Sequence, residues 1–209
     1  MSYIKEACVE NLIEAIKAEQ LGANRIELCD NLKEGGTTPS FELIQQAKAQ
    51  LKIPIRVMIR PRAGNFCYSD EELEIMLSQI EYCKKLEIEA VVFGILNADN
   101  TLDIASIKML AQKAFPLKVV IHKAIDETPD ILMACEDLIL TDKITTILTS
   151  GGKTTAEEGL PILKSLIDLA GDKIEIMPAG KITETNVDQL HEFLNARAYH
   201  GKLIVGEYL

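Results

Sequence analysis

The chain has 209 residues, of which 47% are hydrophobic and 26% charged, and a formal net charge of -10. That balance suits a globular α/β protein and is enough for one (β/α)8 barrel, a fold that usually takes roughly 250 residues. The acidic excess argues against nucleic acid and anionic membrane as partners, because a negative surface repels phosphate and gains nothing from counterion release.

The opening MSYIKEACVENLIEA shows no basic stretch leading into a long apolar run, so no signal peptide is read there. No run approaches the ~18 apolar residues of a membrane span. The five cysteines form no CxxC and no framework spacing, which points to free thiols in a reducing cytoplasm.

Short apolar runs alternate with longer amphipathic stretches along the chain. Ile4 to Cys8 reads as a first strand and Val9 to Leu21 as a helix. Arg25 to Cys29 and Phe41 to Gln50 form the second pair, Ile55 to Arg60 and Asp70 to Leu86 the third, and Ala90 to Phe93 with Ile104 to Ala114 the fourth. Lys118 to His122 precedes a helix over Asp130 to Ile139, Thr145 to Thr149 one over Ala156 to Ala170, and Ile174 to Met177 one over Glu184 to Leu194. The helices carry apolar residues at three- and four-residue spacings, as in Leu73, Met76, Leu77 and Ile80. Ser69 with Glu72 three residues on is a capping box. The eighth strand has two candidates, Ala196 to His200 and Lys202 to Val205. The first is preferred, because it ends on a polar residue like the others and leaves room for a last helix. A single TIM-type (β/α)8 barrel over 1–209 is the expectation.

In such a barrel, function sits at the C-terminal ends of the strands and in the loops that follow. Alternation turns Glu6 and Cys8 inward on strand one, Arg25, Glu27 and Cys29 on strand two, Arg56, Met58 and Arg60 on strand three, and His122 on strand five. Buried charges need partners, so Glu6, Glu27, Arg60 and His122 should converge at the barrel mouth, either as a compensated cluster or as a ligand pocket. Asp126, in the loop HKAID, joins them as an acid–base candidate. Arg62 stands beside Arg60 as an anion clamp, and Ser150, Gly151, Gly152 and Lys181 lie in glycine-bearing loops of the kind that bind phosphate. Cys83 and Cys135 fall on helices as core residues, and Cys67 lies in a loop. Cys8 and Cys29 end neighbouring strands, where two thiols could share a soft ion or pack as small hydrophobes.

The segments KEACVEN, GANRIELCDNLKEGGTTPS, VMIRPRAGNFCYS, VVFGILN, ILTSGG and YHG resemble, in order, the signature segments of the CutC family, from Glu6 to about His200. The resemblance implies a TIM-type barrel, a cytoplasmic location and a role in copper homeostasis. It also implies that Cys8 and Cys29 are the cysteines that bind Cu(I). Two loops depart from the family pattern. IHKAID places Lys123 where an arginine is usual, and AGK places Lys181 in the turn after strand seven. Lysine lacks arginine's bidentate fork, so an anion site on those loops would differ here.

Two functions remain open at this point. One is a Cu(I)-binding protein using Cys8 and Cys29, with Met58 or His122 assisting. The other is an enzyme for a small anionic metabolite, phosphorylated ones included, held by Arg60 and Arg62, with Glu6, Glu27, His122 or Asp126 moving protons. The expected partner is a copper ion or that metabolite, and a homo-oligomer is compatible with either.

Overall fold

The computed structural model describes residues 3–207. Eight parallel strands alternate with seven helices: β1 (Ile4–Val9), α1 (Leu12–Gln20), β2 (Arg25–Leu28), α2 (Phe41–Gln50), β3 (Ile55–Met58), α3 (Asp70–Lys85), β4 (Ala90–Phe93), α4 (Ile104–Ala114), β5 (Lys118–Ile121), α5 (Ile131–Ile139), β6 (Thr146–Thr149), α6 (Ala156–Ala170), β7 (Glu175–Pro178), α7 (Val187–Leu194) and β8 (Ala198–Gly201). Ladders run in the order β7-β6-β5-β4-β3-β2-β1-β8. The two end strands, β7 and β8, lie against each other and nearly close a TIM-type barrel.

The alternation of side chains sorts the strands into two packed layers. Ile26, Leu28, Val57 and Ile59 face outward into the layer shared with the helices. Cys8, Cys29, Met58, Val92, Val120, Leu148 and Met177 face into the barrel. The interior also holds the buried charged residues Glu6, Arg25, Glu27 and Arg56, where barrels normally stack aliphatic side chains.

Local signals set the helix limits. Ser69 Oγ accepts from Glu72 N at 3.3 Å while Glu72 Oε2 accepts from Ser69 N at 2.9 Å, which completes the capping box of α3. The first helix begins later than its apolar pattern suggests. Val9 extends β1, and the Asn11 side chain accepts from Glu14 N at 2.9 Å, which fixes the start of α1 at Leu12. Strand β3 ends at Met58, before Arg60.

Strand β8 occupies the first of the two candidate segments, shifted toward Gly201. The room kept for a last helix goes unused among the described residues. The bridge Thr183↔Leu203 ties the tail to the loop after β7 instead.

Candidate metal centre in the barrel mouth

The register of the first strands decides which polar side chains meet. In the ladder Glu6 pairs with Arg25 and Cys8 with Glu27 on one side, and Glu6 pairs with His200 on the other. Glu27 in turn pairs with Arg56. Cys8 and Cys29 are therefore diagonal neighbours rather than directly opposed. Strand tilt in a barrel brings such diagonals together, and the Cys29 amide bonds to Val9 O at 2.9 Å just past the end of β2.

The two sulfurs lie 3.8 Å apart, and both residues are buried. Glu27 Oε2 is 3.2 Å from Cys8 Sγ and 3.5 Å from Cys29 Sγ. His200 closes the group, with Nε2 3.6 Å from Glu27 Oε2 and Nδ1 2.9 Å from Glu6 Oε1. Two sets of potential ligands result, Cys8–Glu27–Cys29 and Glu6–Glu27–His200, each with its donor atoms within 4.8 Å of one another.

The electrostatics separate these groups into acids and bases. The hydrogen bond from Cys29 brings the Cys8 thiol down to about 5 against the opposing effect of burial, with His200 assisting. Cys29 is pushed well above the usual thiol range, first by that same bond and then by burial. Burial, followed by the Cys8 charge, raises Glu27 well above the usual carboxylate range. Burial disfavours charge on His200, yet Glu27, Cys8 and Glu6 outweigh it and raise the imidazole well above its ordinary value. The Cys8 thiol is thus biased toward its thiolate opposite a His200 biased toward its cation, while Cys29 and Glu27 are biased toward their protonated forms.

One layer deeper lies the support for this pair. Burial alone would raise Glu6, but the His200 hydrogen bond and the Arg25 and Arg56 charges outweigh it and hold the carboxyl at about 2. Glu6 accepts from Arg25 Nε and lies 3.3 Å from Arg56 Nη1. The two guanidiniums continue to Glu175, at 3.9 and 3.8 Å, and Arg56 reaches Glu89 at 3.4 Å. The charge column ends at Lys118, 2.9 Å from Glu89 and more than half exposed.

The other expected site residues are placed differently. Arg60 spends its guanidinium on loop carbonyls, donating from Nη1 to Glu34 O and Gly36 O at 2.8 Å each and from Nη2 to Gly64 O at 2.7 Å. It binds the loops after β2 and β3 together. A Cβ on Gly36, whose φ is +85°, would lie 3.4 Å from Cys29 Sγ, so the close approach of this loop to the thiol depends on the missing side chain. Arg62 is engaged with Glu72 Oε1 at 2.5 Å and Cys67 O at 2.7 Å.

Asp126 occupies the TSGG turn itself. Its carboxylate accepts from Ser150 N at 3.0 Å, Ser150 Oγ at 2.9 Å and Gly152 N at 2.9 Å, so an internal anion satisfies the donors that a phosphate would use. Gly151 is buried against Gly159, and Lys181 is exposed in a left-handed turn conformation. His122 lines the mouth beside Phe66, with ring centroids 4.9 Å apart. Its Nδ1 accepts from Ala124 N at 3.1 Å, which puts the ring proton on Nε2 and makes that atom a donor rather than a metal ligand.

Cys83 and Cys135 are fully buried in the helical layer, and Cys67 is half-buried with Sγ 3.2 Å from Asn97 O. All five thiols are free. His200 was not singled out as a site residue from the sequence. The visible hint was a polar residue at the end of the eighth strand, and the parallel register with β1 carries it to Glu6 and Glu27. Of the remaining charges of the column, Arg25 and Arg56 follow from strand alternation, whereas Glu89 and Glu175 show no local motif.

The CutC family model matches residues 3–204. The chain belongs to the CutC family. Two curated relatives, the copper homeostasis protein cutC homologs of Mus musculus and Homo sapiens, are each 42% identical over 198 residues, covering 95% of this chain and 72% of the relative. A CutC family protein of Enterococcus faecalis is 39% identical, covering 97% of this chain and all of that one. Among solved structures, CutC from Streptococcus agalactiae superposes with a TM-score of 0.92 at 36% identity, covering 97% of this chain and 100% of the other. Phosphoribosylanthranilate isomerase from Thermotoga maritima, at 15% identity and a TM-score of 0.61 over 95% and 87% of the two chains, shares the barrel fold alone.

The donor set fits a soft monovalent ion. Two metal–sulfur bonds of roughly 2.3 Å span at most about 4.6 Å, and the 3.8 Å between the sulfurs lies inside that limit. Glu27 Oε1 is buried without a hydrogen-bond partner among the described residues, a spare oxygen beside the thiols. Met58 adds a thioether to the same cavity wall.

Proposed function

We propose that this CutC family member works in copper homeostasis in the cytoplasm by binding Cu(I) through the thiolates of Cys8 and Cys29. The observation that carries the reading is the pair of buried sulfurs 3.8 Å apart at the barrel mouth. Soft thiolates prefer Cu(I) to hard cations, and no helix among the described residues is long and apolar enough to cross a membrane. Free thiols throughout the chain suit a reducing compartment.

The surrounding residues have defined work in this reading. Cys8 is held as a thiolate and supplies the first sulfur, while Cys29 must release its proton to supply the second. Two thiolates around a monovalent ion leave one net negative charge, and the His200 cation stands beside it to offset that charge. Glu6 keeps His200 protonated and oriented, and Arg25 and Arg56 fix Glu6. Burial keeps water and competing hard ligands away from the sulfurs.

The anionic-metabolite reading draws no comparable support. Arg60 and Arg62 are committed to loop carbonyls and Glu72, Asp126 fills the TSGG amides, and Glu6 is locked under His200.

The test is anaerobic Cu(I) titration against a competing chelator. The wild type should bind one equivalent, Cys8→Ser with Cys29→Ser should abolish it, and Cys83→Ser with Cys135→Ser should leave it intact. A double Cys8/Cys29 variant that binds Cu(I) as tightly as wild type overturns the proposal.

A further inference from the structure

Cys8, Glu27, Cys29 and His200 reach the barrel mouth from the ends of the adjacent strands β1, β2 and β8. The separations of their donor atoms define a shape. The two sulfurs are 3.8 Å apart, and Glu27 Oε2 is 3.2 Å from Cys8 Sγ and 3.5 Å from Cys29 Sγ. His200 Nε2 is 3.6 Å from Glu27 Oε2. A zinc-sized ion has bonds of roughly 2.3 Å to sulfur and about 2.0–2.1 Å to nitrogen or oxygen. A tetrahedron built on those bonds has edges of about 3.8 Å between sulfurs, ~3.5 Å from sulfur to oxygen and ~3.4 Å from nitrogen to oxygen. Each of the four observed separations lies within about 0.3 Å of its edge. A linear two-coordinate Cu(I) would instead hold the sulfurs about 4.6 Å apart. The mouth is spaced for a tetrahedral ion.

The group does not satisfy itself. Glu27 Oε1 is buried with no hydrogen-bond partner among the described residues, and Oε2 has the two thiols and His200 around it. Buried carboxyls are normally paired, hydrogen-bonded or bound to a metal. The nearby guanidiniums are committed elsewhere, Arg25 to Glu6 and Glu175, and Arg56 to Glu6, Glu89 and Glu175.

His200 is set up as a ligand. Its Nδ1 donates to Glu6 Oε1 at 2.9 Å, and Arg25 and Arg56 hold Glu6 from the other side. A carboxylate on the far nitrogen is the usual support of a metal-binding histidine, because it fixes the tautomer and aims the ring. Nε2 is the atom left for an ion.

We propose that Cys8, Glu27, Cys29 and His200 together form a tetrahedral site for a borderline divalent cation, Zn(II). The inference rests on the copper reading in taking the two sulfurs as metal ligands, and goes beyond it in the ion, the two added ligands and the geometry. Magnesium and calcium do not suit the site, because those hard cations take oxygen shells. The two ions use the imidazole differently. Copper leaves Nε2 unbound, whereas zinc takes its lone pair.

The experiment uses metal-free, reduced protein under anaerobic conditions, with Co(II) as the optical probe of the zinc site. One equivalent of Co(II) should give the intense visible bands of a tetrahedral centre with sulfur-to-cobalt charge transfer, and one equivalent of Zn(II) should bleach them. His200→Gln and Glu27→Gln should each weaken Zn(II) at least about tenfold more than they weaken Cu(I), measured with competing chelators. Cys8→Ser with Cys29→Ser should lose both ions. X-ray absorption at the zinc edge needs no variant and should show two sulfurs at roughly 2.3 Å and two nitrogen or oxygen atoms at about 2.0–2.1 Å in the wild type. A pale six-coordinate Co(II) spectrum, any other zinc shell, or equal losses of both ions in the two single variants overturns the inference. So does Zn(II) bound as tightly by the double cysteine variant. Protein that binds Cu(I) but neither Co(II) nor Zn(II) overturns this inference and leaves the copper reading standing, and protein that binds Zn(II) in the expected shell but not Cu(I) does the reverse.

Discussion

Replacing Glu6 by Gln tests the charge column beneath the thiols. The substitution keeps the shape and an oxygen for His200 but removes the negative charge that Arg25, Arg56 and His200 share. Glu6 has no exposed surface, so water cannot compensate. Removing one partner of a buried ion pair costs about 3–5 kcal/mol, because it strands the remaining charge. Linkage gives a similar figure. A carboxyl lowered from 4.5 to about 2 contributes stability that is complete above the unfolded value and lost as pH falls through the folded one. At about 1.4 kcal/mol per unit this is roughly 3 kcal/mol at neutral pH. For a chain of this length, 3 kcal/mol lowers Tm by about 6–12 °C.

The assay is urea unfolding at pH 7, read by circular dichroism, with Asp168→Asn as the control. Asp168 pairs with Lys164 at 2.7 Å on an exposed helix face, and breaking that pair should cost at most about 0.5 kcal/mol. A Glu6→Gln protein no less stable than Asp168→Asn would show that the column is solvated or electrostatically idle, and the reasoning would fail.

Two further outcomes are expected. His122 stays neutral in the fold down to about 3 while the unfolded ring protonates near 6.5, so native stability falls as pH drops below 6.5, by up to about 1.4 kcal/mol per unit. His122→Asn should remove that part of the slope, about 2 kcal/mol between pH 6.5 and 5 in paired urea titrations, and parallel curves for both proteins would refute it. Asp126→Ala should lower Tm by freeing the Ser150 and Gly152 amides, and millimolar inorganic phosphate should then raise the Tm of the variant but not of the wild type. Equal phosphate response in both proteins would mean that Asp126 does not fill an anion site.

Some of this protein was already legible in the sequence. The alternation of β-type and helical runs required parallel βαβ units, and the two-residue period of the strands turned Cys8, Glu27, Cys29 and Met58 inward. Those are local properties, since each strand carries its own face pattern whatever it pairs with. The specific loop segments between Glu6 and His200 carried the family in the same way.

Tertiary structure decided which of the polar residues are free to act. The parallel register set Cys8 beside Glu27, brought Cys29 in diagonally and added His200 from the far end of the chain. Arg60 and Asp126 looked from sequence like site residues, yet the carbonyls of the loops after β2 and β3 absorb the first and the TSGG amides absorb the second. Backbone groups leave no mark in side-chain periodicity. Their demand for partners appears only when loops from different strands converge at one barrel end, and there it determines which charges remain for chemistry.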